Sequence, residues 1–337
     1  MENVLSYENL YISALKCSRN VKWKNSTAHY LLNLPRETYK LYTDLNNGTY
    51  RERPHKQFKI YEPKERDVLS ISFRDRVYQR TLNDLVIYPI MTKSFIYDNC
   101  ACQKGKGTDF ARNRVKEHLH RYFRENKTNK GYIIHIDIKK YYPNMSHKVA
   151  EALFEEKLPQ DVFARVKQML KMYTGEKGYF AGSQLIQILG ISILDKIDHY
   201  IKEQLKVKHY VRYMDDLILI VKENPKFYLN EVEKKLNAIE FNLNVEKTKI
   251  VTIEKGETFL GFNFSMSKTG KVYQCISKDN LRRRRRKMLK TFDKQSKADF
   301  YNSYQTWRSY AEKSTSKKHI YQLDELFKEL MNKEEKL

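Results

Sequence analysis

The stretch HYVRYMDDLILIV, residues 209–221, sets two adjacent carboxylates, Asp215 and Asp216, between two runs rich in β-branched and aromatic residues. The flanks VKHYVRYM and LILIV read as strands two residues apart, which is hairpin spacing. A turn by itself explains Asp-Asp at that position, because turns are wet and tolerate charge. The segment GYIIHIDI, residues 131–138, adds a constraint. It is a nearly continuous apolar run of strand length, suited to a strand buried on both faces, yet it carries Asp137. A buried carboxylate is costly unless it is paired or binds a metal. If these strands are neighbours in one sheet, Asp137, Asp215 and Asp216 converge at one edge. Hard oxygen ligands of this kind suit Mg²⁺, which binds through one or two carboxylates plus substrate phosphates. Two such ions, about 3.5–4 Å apart, can activate a 3′-hydroxyl and stabilise a leaving pyrophosphate.

The rest of the chain alternates helical and strand patterns. Residues 1–56 are helical in tendency, with Pro35 breaking the pattern. Residues 57–73 read as a β-hairpin around a charged turn, carrying Lys59, Lys64 and Arg66. A helix is expected after Asp75, its candidate cap, with Val77, Leu82, Leu85 and Val86 on one face. The glycine loop QKGKG leads into another helix, with Thr108 or Asp109 as candidate N-cap. Ser146 is the candidate cap of a short helix, and one longer helix is expected from 182 to about 205. A further helix is expected in NEVEKKLNAIEFNL, a strand in ETFLGFNF and a turn at MSKTGK. From about Asp279 the chain is helical and basic. This mixed order predicts an α+β fold with an antiparallel sheet and an appended helical tail.

Charge narrows the partner. The 337 residues hold 64 Lys plus Arg against 41 Asp plus Glu, a net charge of +23, with 25 Tyr and 16 Phe interleaved. Clustered cations with stacking rings are how single-stranded nucleic acid is held. No apolar run reaches the ~18 residues of a membrane span, and the N-terminus lacks a leader pattern. Cys17, Cys100, Cys102 and Cys275 lack the spacing of a zinc site, so they are expected to be free thiols of a cytoplasmic protein. In KGKGT, Gly107 separates Lys106 from Thr108, which excludes a Walker loop. A backbone contact to nucleic acid near Lys104 and Lys106 stays open.

HIDIKKYY, GSQ, YMDD, EKTKI and FLGF, in that order, resemble the palm motifs of reverse transcriptases. SFRDRVYQRTL and FIYDNCACQKGKGT resemble the fingers of the bacterial defence-associated and diversity-generating-retroelement groups. The resemblance covers about residues 57–265. It implies a right-hand polymerase fold: a helical extension over 1–56, fingers and palm over 57–265, and a basic helical thumb over 266–337.

By the same resemblance, Asp137 and Asp215 are the principal metal ligands, Asp216 completes the triad, and the Ile138 carbonyl faces a metal. Two Mg²⁺ ions are implied, with Mn²⁺ as a substitute. Tyr142 would stand beside the sugar and exclude a 2′-hydroxyl, whereas Tyr141 reads as core. Gly182, Ser183 and Gln184 would meet the nucleotide, although FAGSQ departs from the family's PxGSPxS pattern. Arg66 and Lys59 would grip the triphosphate, with Lys64 competing for the second role. Lys247 is the candidate general acid for pyrophosphate; a solvated surface lysine is the competing reading. Phe259, Leu260 and Gly261 would hold the primer end. Arg282, Arg283, Arg284, Arg285 and Arg286 would track duplex phosphates; such a run is otherwise a solvated face. The expected partners are a structured RNA template, the DNA product and deoxynucleotides, with an accessory protein or homo-oligomer open and no membrane. Phage defence is the expected role. Retroelement mutagenesis, untemplated synthesis and a maturase-like RNA-binding protein are the alternatives.

Overall fold

The computed structural model describes residues 3–61, 65–180 and 182–332. The chain forms two compact units. The first comprises Met1–Cys102, Ile138–Tyr200 and Val232–Leu243; the second comprises Gln103–Asp137, Ile201–Glu231 and Asn244–Leu337.

In the first unit, helices Tyr7–Ser18, Asn25–Leu32 and Leu34–Asn46 pack with helix Phe73–Leu82. Leu10, Ala14, Leu41 and Val77 supply a fully buried seam. Pro35 does not break a helix but begins one, in the first turn where its missing N–H costs nothing. Strands β1 (Lys56–Ile60) and β2 (Arg66–Ser70) form the expected hairpin, with Phe58 opposite Val68. Ser72, not Asp75, caps the next helix. Its hydroxyl accepts from the Asp75 amide at 3.2 Å and donates to the Asp75 carboxylate at 2.7 Å. The Asp75 carboxylate also accepts from the Tyr50 hydroxyl at 2.8 Å and the Arg53 amide at 3.0 Å. A π-helical turn over Asn83–Ile87 then rotates the face, so Leu85 is exposed rather than in core.

The single helix expected from 182 to about 205 is three pieces: Gln184–Ser192, Asp195–His199 and a π turn over Tyr200–Gln204. Two polar residues account for the break. The Ser192 hydroxyl donates back to the Ile188 carbonyl at 2.7 Å. The buried Asp195 carboxylate is anchored by Ser94 at 2.6 Å and Lys157 at 3.0 Å.

The second unit holds a four-stranded antiparallel sheet of β3 (Tyr132–Asp137), β4 (His209–Tyr213), β5 (Asp216–Val221) and β6 (Lys249–Thr252), in the order β4-β5-β3-β6. A second sheet joins β7 (Glu257–Phe259), β8 (Phe262–Met266) and β9 (Val272–Ile276). The strand predicted in ETFLGFNF is thus a hairpin, and a third strand precedes the helical tail. Helix Thr108–Asn126 packs against β4; Gly107 occupies its N-cap position and no side chain caps it. Asp109 instead pairs with Arg112 at 2.8 Å and Lys313 at 2.5 Å. Helices Lys278–Thr291, Lys297–Ala311 and Lys318–Met331 close around Met288, Phe300, Tyr304, Leu323, Phe327 and Leu330. Ser277 and Ser296 cap the first two. The fold is α+β, as the alternation of patterns predicts.

Candidate active site

Register brings the carboxylates together. Asp137 at the end of β3 lies opposite Asp216 at the start of β5, and Asp216 lies opposite Tyr213. The turn between β4 and β5 is Met214–Asp215, with Met214 at φ 56, a left-handed conformation that hairpin turns of this length require. Directly paired residues share a sheet face, so Asp137, Asp216, Tyr213 and His135 face the same way. Asp215 follows in the turn itself. Burial, then the neighbouring Asp216 and Asp137, push its carboxyl up to about 6 against the opposing pull of its own backbone and of Lys247.

Each of the other two carboxylates is met by a cation of the protein. Lys247 Nζ lies 3.1 and 3.2 Å from the two oxygens of Asp137. The turn that carries Lys247 is tied to the end of β3. The Asn244 amide donates to the Asp137 carbonyl at 2.8 Å, and the Asp137 amide donates to the Thr248 hydroxyl at 3.3 Å. On the other side, His135 Nε2 lies 3.3 Å from Asp216 Oδ1 and its Nδ1 lies 3.5 Å from Glu257 Oε1. Burial pulls the imidazole down, but these two carboxylates outweigh it and hold the ring up at about 9. Burial likewise lifts Glu257, and His135, the Thr258 amide and Lys249 bring it below the usual carboxylate range.

Three carboxylates at one sheet edge, one of them raised by burial and then by its neighbours, form a set of hard oxygen donors short of positive charge. That chemistry fits a divalent cation. Among the described residues, no three or more His, Cys, Asp or Glu side chains are already gathered as a metal cage. Lys247 and His135 hold Asp137 and Asp216 instead.

The remaining predicted site residues fall in both units. In the first unit, Ile138 is buried and bridges to Leu243. Lys59 lies on the exposed β1 and pairs with Glu65 at 2.6 Å. The side chain of Arg66 and all of Lys64 lie outside the described residues. Tyr142 is half-buried, while Tyr141 is core, its hydroxyl donating to the Gly190 carbonyl at 2.5 Å. Gly182 sits at φ 142, where a Cβ would meet the Leu69 carbonyl oxygen at 2.5 Å. The glycine therefore admits the backbone of β2, a close approach that the family resemblance would give to the nucleotide. The Ser183 hydroxyl is committed to structure. It caps the following helix through the Leu185 amide at 3.1 Å and donates to Gln79 Oε1 at 3.0 Å. Gln184 is the first residue of that helix and is half-buried.

In the second unit, Phe259 is buried, and Leu260 and Gly261 form the two-residue turn between β7 and β8 with φ 47 and φ 86. A side chain on Gly261 would collide with the Tyr310 hydroxyl, which donates to the Leu260 carbonyl at 3.2 Å. Lys104 is exposed, and Lys106 lies 5.6 Å from the Phe110 ring centroid. Of the arginine run, Arg282, Arg283, Arg285 and Arg286 are exposed, but Arg284 is buried. Its guanidinium lies 5.2 and 5.7 Å from the Tyr304 and Trp307 rings and 3.3 Å from the Ser303 hydroxyl. One residue in that run therefore faces the helical core and not solvent.

Sequence reasoning missed Gln79, His135, Thr248 and Glu257. For His135 a signal was present: a polar residue two positions before Asp137 in an apolar strand shares its face.

Residues 62–264 match the reverse transcriptase (RNA-dependent DNA polymerase) family. No curated protein sequence matches the chain. Among solved structures, telomerase from Candida albicans bound to a fragment of telomeric RNA is similar at 13% identity and TM-score 0.49, covering 71% of this chain and 51% of that one. A truncated apo telomerase from Candida tropicalis is similar at 16% identity and TM-score 0.49, covering 65% and 54%. The chain thus spans about half the length of these structures. The family match runs over more than half of the sequence and includes Asp137, Asp215, Asp216 and Lys247. The chain belongs to the reverse transcriptase family.

Proposed function

We propose that this chain is an RNA-directed DNA polymerase that copies a structured non-coding RNA into complementary DNA. The observation that carries the reading is the register of Asp137 against Asp216, with Asp215 in the adjoining turn. Asp137 and Asp215, with Asp216 and the Ile138 carbonyl, would hold two Mg²⁺ ions, for which Mn²⁺ can substitute. Bound there, such ions supply Lewis acidity to the primer hydroxyl and to the leaving pyrophosphate. The primer 3′-hydroxyl would give its proton to solvent as its oxygen attacks the α-phosphorus; a new P–O bond forms, and the bond from the α-phosphorus to the oxygen it shares with the β-phosphate breaks, releasing pyrophosphate.

The protein's part is charge, shape and proton supply. Lys247, held on Asp137 in this structure, is an ammonium within reach of the site and can protonate the pyrophosphate. Tyr142 would exclude ribonucleotides by its ring, and Lys59 with Arg66 would meet the triphosphate. Gly182, Ser183 and Gln184 would shape the nucleotide site from the loop, with Ser183 acting through the fold. The Leu260–Gly261 turn would seat the primer end. Lys104, Lys106 and the outward arginines Arg282, Arg283, Arg285 and Arg286 would track phosphates. In this reading residues 57–265 are fingers and palm and 266–337 the thumb. The proposed setting is phage defence with a dedicated RNA, supported by the likeness of the fingers motifs to defence-associated enzymes.

The test is primer extension by the purified protein with its co-bound RNA, Mg²⁺ and deoxynucleotides. Synthesis complementary to that RNA, lost after RNase treatment and in Asp215→Ala, is expected. Undiminished synthesis by Asp215→Ala sinks the catalytic assignment, and synthesis that survives complete RNase treatment sinks templated copying.

A further inference from the structure

His135 joins two parts of the second unit that the reaction must keep in register. Its ring bridges Asp216, on the carboxylate edge, and Glu257, the first residue of β7. Ionised carboxylates only accept hydrogen bonds, so each ring nitrogen has an acceptor to serve. The bridge is sheltered: side-chain exposure is 14% for His135 and 8% for Glu257. The Phe259 ring, two residues on in β7, meets the imidazole edge-on at 6.4 Å and 86°. β7 then leads straight into the Leu260–Gly261 turn, which Tyr310 grips from helix Lys297–Ala311. Arg112 lies 5.0 Å from the ring centroids of both Phe262 and Tyr310 and backs the same turn. A continuous chain of contacts therefore runs from Asp216 through His135 to the turn and on to a thumb helix.

We propose that His135 is a positioning residue for polymerisation, fixing Asp216 to Glu257 so that the carboxylate edge and the β7–β8 turn keep one alignment. The inference rests on the polymerase reading above. A tie needed only to pack two sheets would not consume a carboxylate at the catalytic edge. An apolar pair would do that work without desolvating charges. The tie matters for rate because an in-line attack is sensitive to displacements of about 1 Å, which can cost ~10²-fold.

The experiment compares His135→Leu, the gentler His135→Gln, Glu257→Gln and the double variant His135→Leu/Glu257→Gln. Single-nucleotide extension on a defined primer–template gives kcat and nucleotide KM, and thermal unfolding controls for the fold. His135→Leu is expected to lower kcat by ~10–10²-fold, with KM and duplex affinity little changed; its melting temperature falls because Glu257 is left buried without its partner, and recovers in the double variant. His135→Gln, which keeps one donor, recovers part of the loss. The double variant is no worse than His135→Leu, because both changes break one link. An unchanged kcat in His135→Leu, or losses that multiply in the double variant, overturns the proposal. Nitrogen NMR of ¹⁵N-histidine protein, with the ring assigned by its disappearance in His135→Gln, decides the link without activity. The Nε2 signal is expected to move in Asp216→Asn and the Nδ1 signal in Glu257→Gln; signals unmoved in both overturn the link. A wild-type protein that extends no primer refutes the polymerase reading alone, leaving the NMR result to judge the bridge.

Discussion

Two runs of like charge in the second unit are handled in opposite ways. At the β4–β5 turn, Asp215 and Asp216 are joined by Asp137 from the neighbouring strand, because antiparallel register sets strand ends side by side. Along helix Lys278–Thr291, five consecutive arginines are spread around the axis at ~100° per residue. Four face solvent and Arg284 turns inward against Tyr304 and Trp307. The hairpin concentrates charge until it must be neutralised, by Lys247, by His135, or by ions. The helix dilutes charge until each exposed cation acts almost alone. The first arrangement suits chemistry at one point, and the second suits holding a long polyanion.

The largest effect should come from lowering the charge at the sheet edge. Asp215→Asn keeps shape and removes one carboxylate. Primer extension is expected to fall ~10³-fold or more, at least the scale of losing one preorganised charged group. Melting temperature should stay level or rise, because a half-buried carboxylate beside two others costs stability. A variant that keeps its activity, or that melts several degrees lower, would show that the edge is a structural turn and that the comparison is misdrawn.

This contrast also explains what was legible in the sequence. Asp137, Asp215 and Asp216 were readable because strand periodicity and hairpin spacing leave few ways to place them. The α+β class followed from the alternation of patterns for the same reason. His135 carried a weaker signal of the same kind. Its partner Glu257 is 122 residues away, and no local rule pairs them. Arg284 was hidden inside a uniform run, where identical residues give a helical period nothing to mark. The break of the 182–205 helix came from Asp195 binding Ser94 and Lys157, contacts far off in sequence. Ser183 was assigned to the nucleotide by the family resemblance, and no local rule could pair it with Gln79 on a distant helix.

The opposite end of β4 gives the next effect. His209 lies on the same sheet face as the carboxylates but beside His118 and the Arg114 behind it. His118 Nδ1 is 3.3 Å from its Nδ1, Arg114 lies behind His118 at 3.3 Å, and Glu125 is 3.3 Å from its Nε2. Burial, then His118, hold the His209 imidazole below its ordinary range, with Lys202 adding to this and Glu125 opposing it. The folded protein therefore binds fewer protons here than the unfolded chain as pH falls below about 6.5. Stability from this site is full above that pH and is lost toward the depressed native value. His209→Gln should flatten the acid limb of a stability–pH curve by ~1–3 kcal/mol, read from urea unfolding between pH 7 and pH 4.5. An unchanged limb would mean that His209 is not held neutral.

Arg284 sharpens the helical side. Arg284→Ala should cost ~1–2 kcal/mol, from the lost ring contacts and the Ser303 hydrogen bond. Its Nε is buried without a partner and burial lowers its pKa, so desolvation offsets much of what the charge gains from the rings. Arg284→Met, which keeps the volume, should be close to neutral in thermal unfolding. A loss in Arg284→Met as large as in Arg284→Ala would assign the role to charge instead of packing.

The smallest effect belongs to a single outward arginine. Arg286 is exposed on the same helix. If it meets one phosphate, Arg286→Gln should weaken primer–template binding only a few-fold at physiological salt. The slope of log affinity against log salt should drop by ~1. Arg284→Met should leave that slope where it was, because a buried guanidinium releases no counterion from the duplex. Fluorescence anisotropy over a range of salt concentrations measures both. Equal slopes for Arg286→Gln and wild type would remove the run from the nucleic-acid surface. A drop in Arg284→Met equal to that in Arg286→Gln would erase the distinction between its inner and outer members. Both measurements remove one arginine from the same helix, one facing solvent and one facing the helical core, so they test what the orientation of the side chain decides.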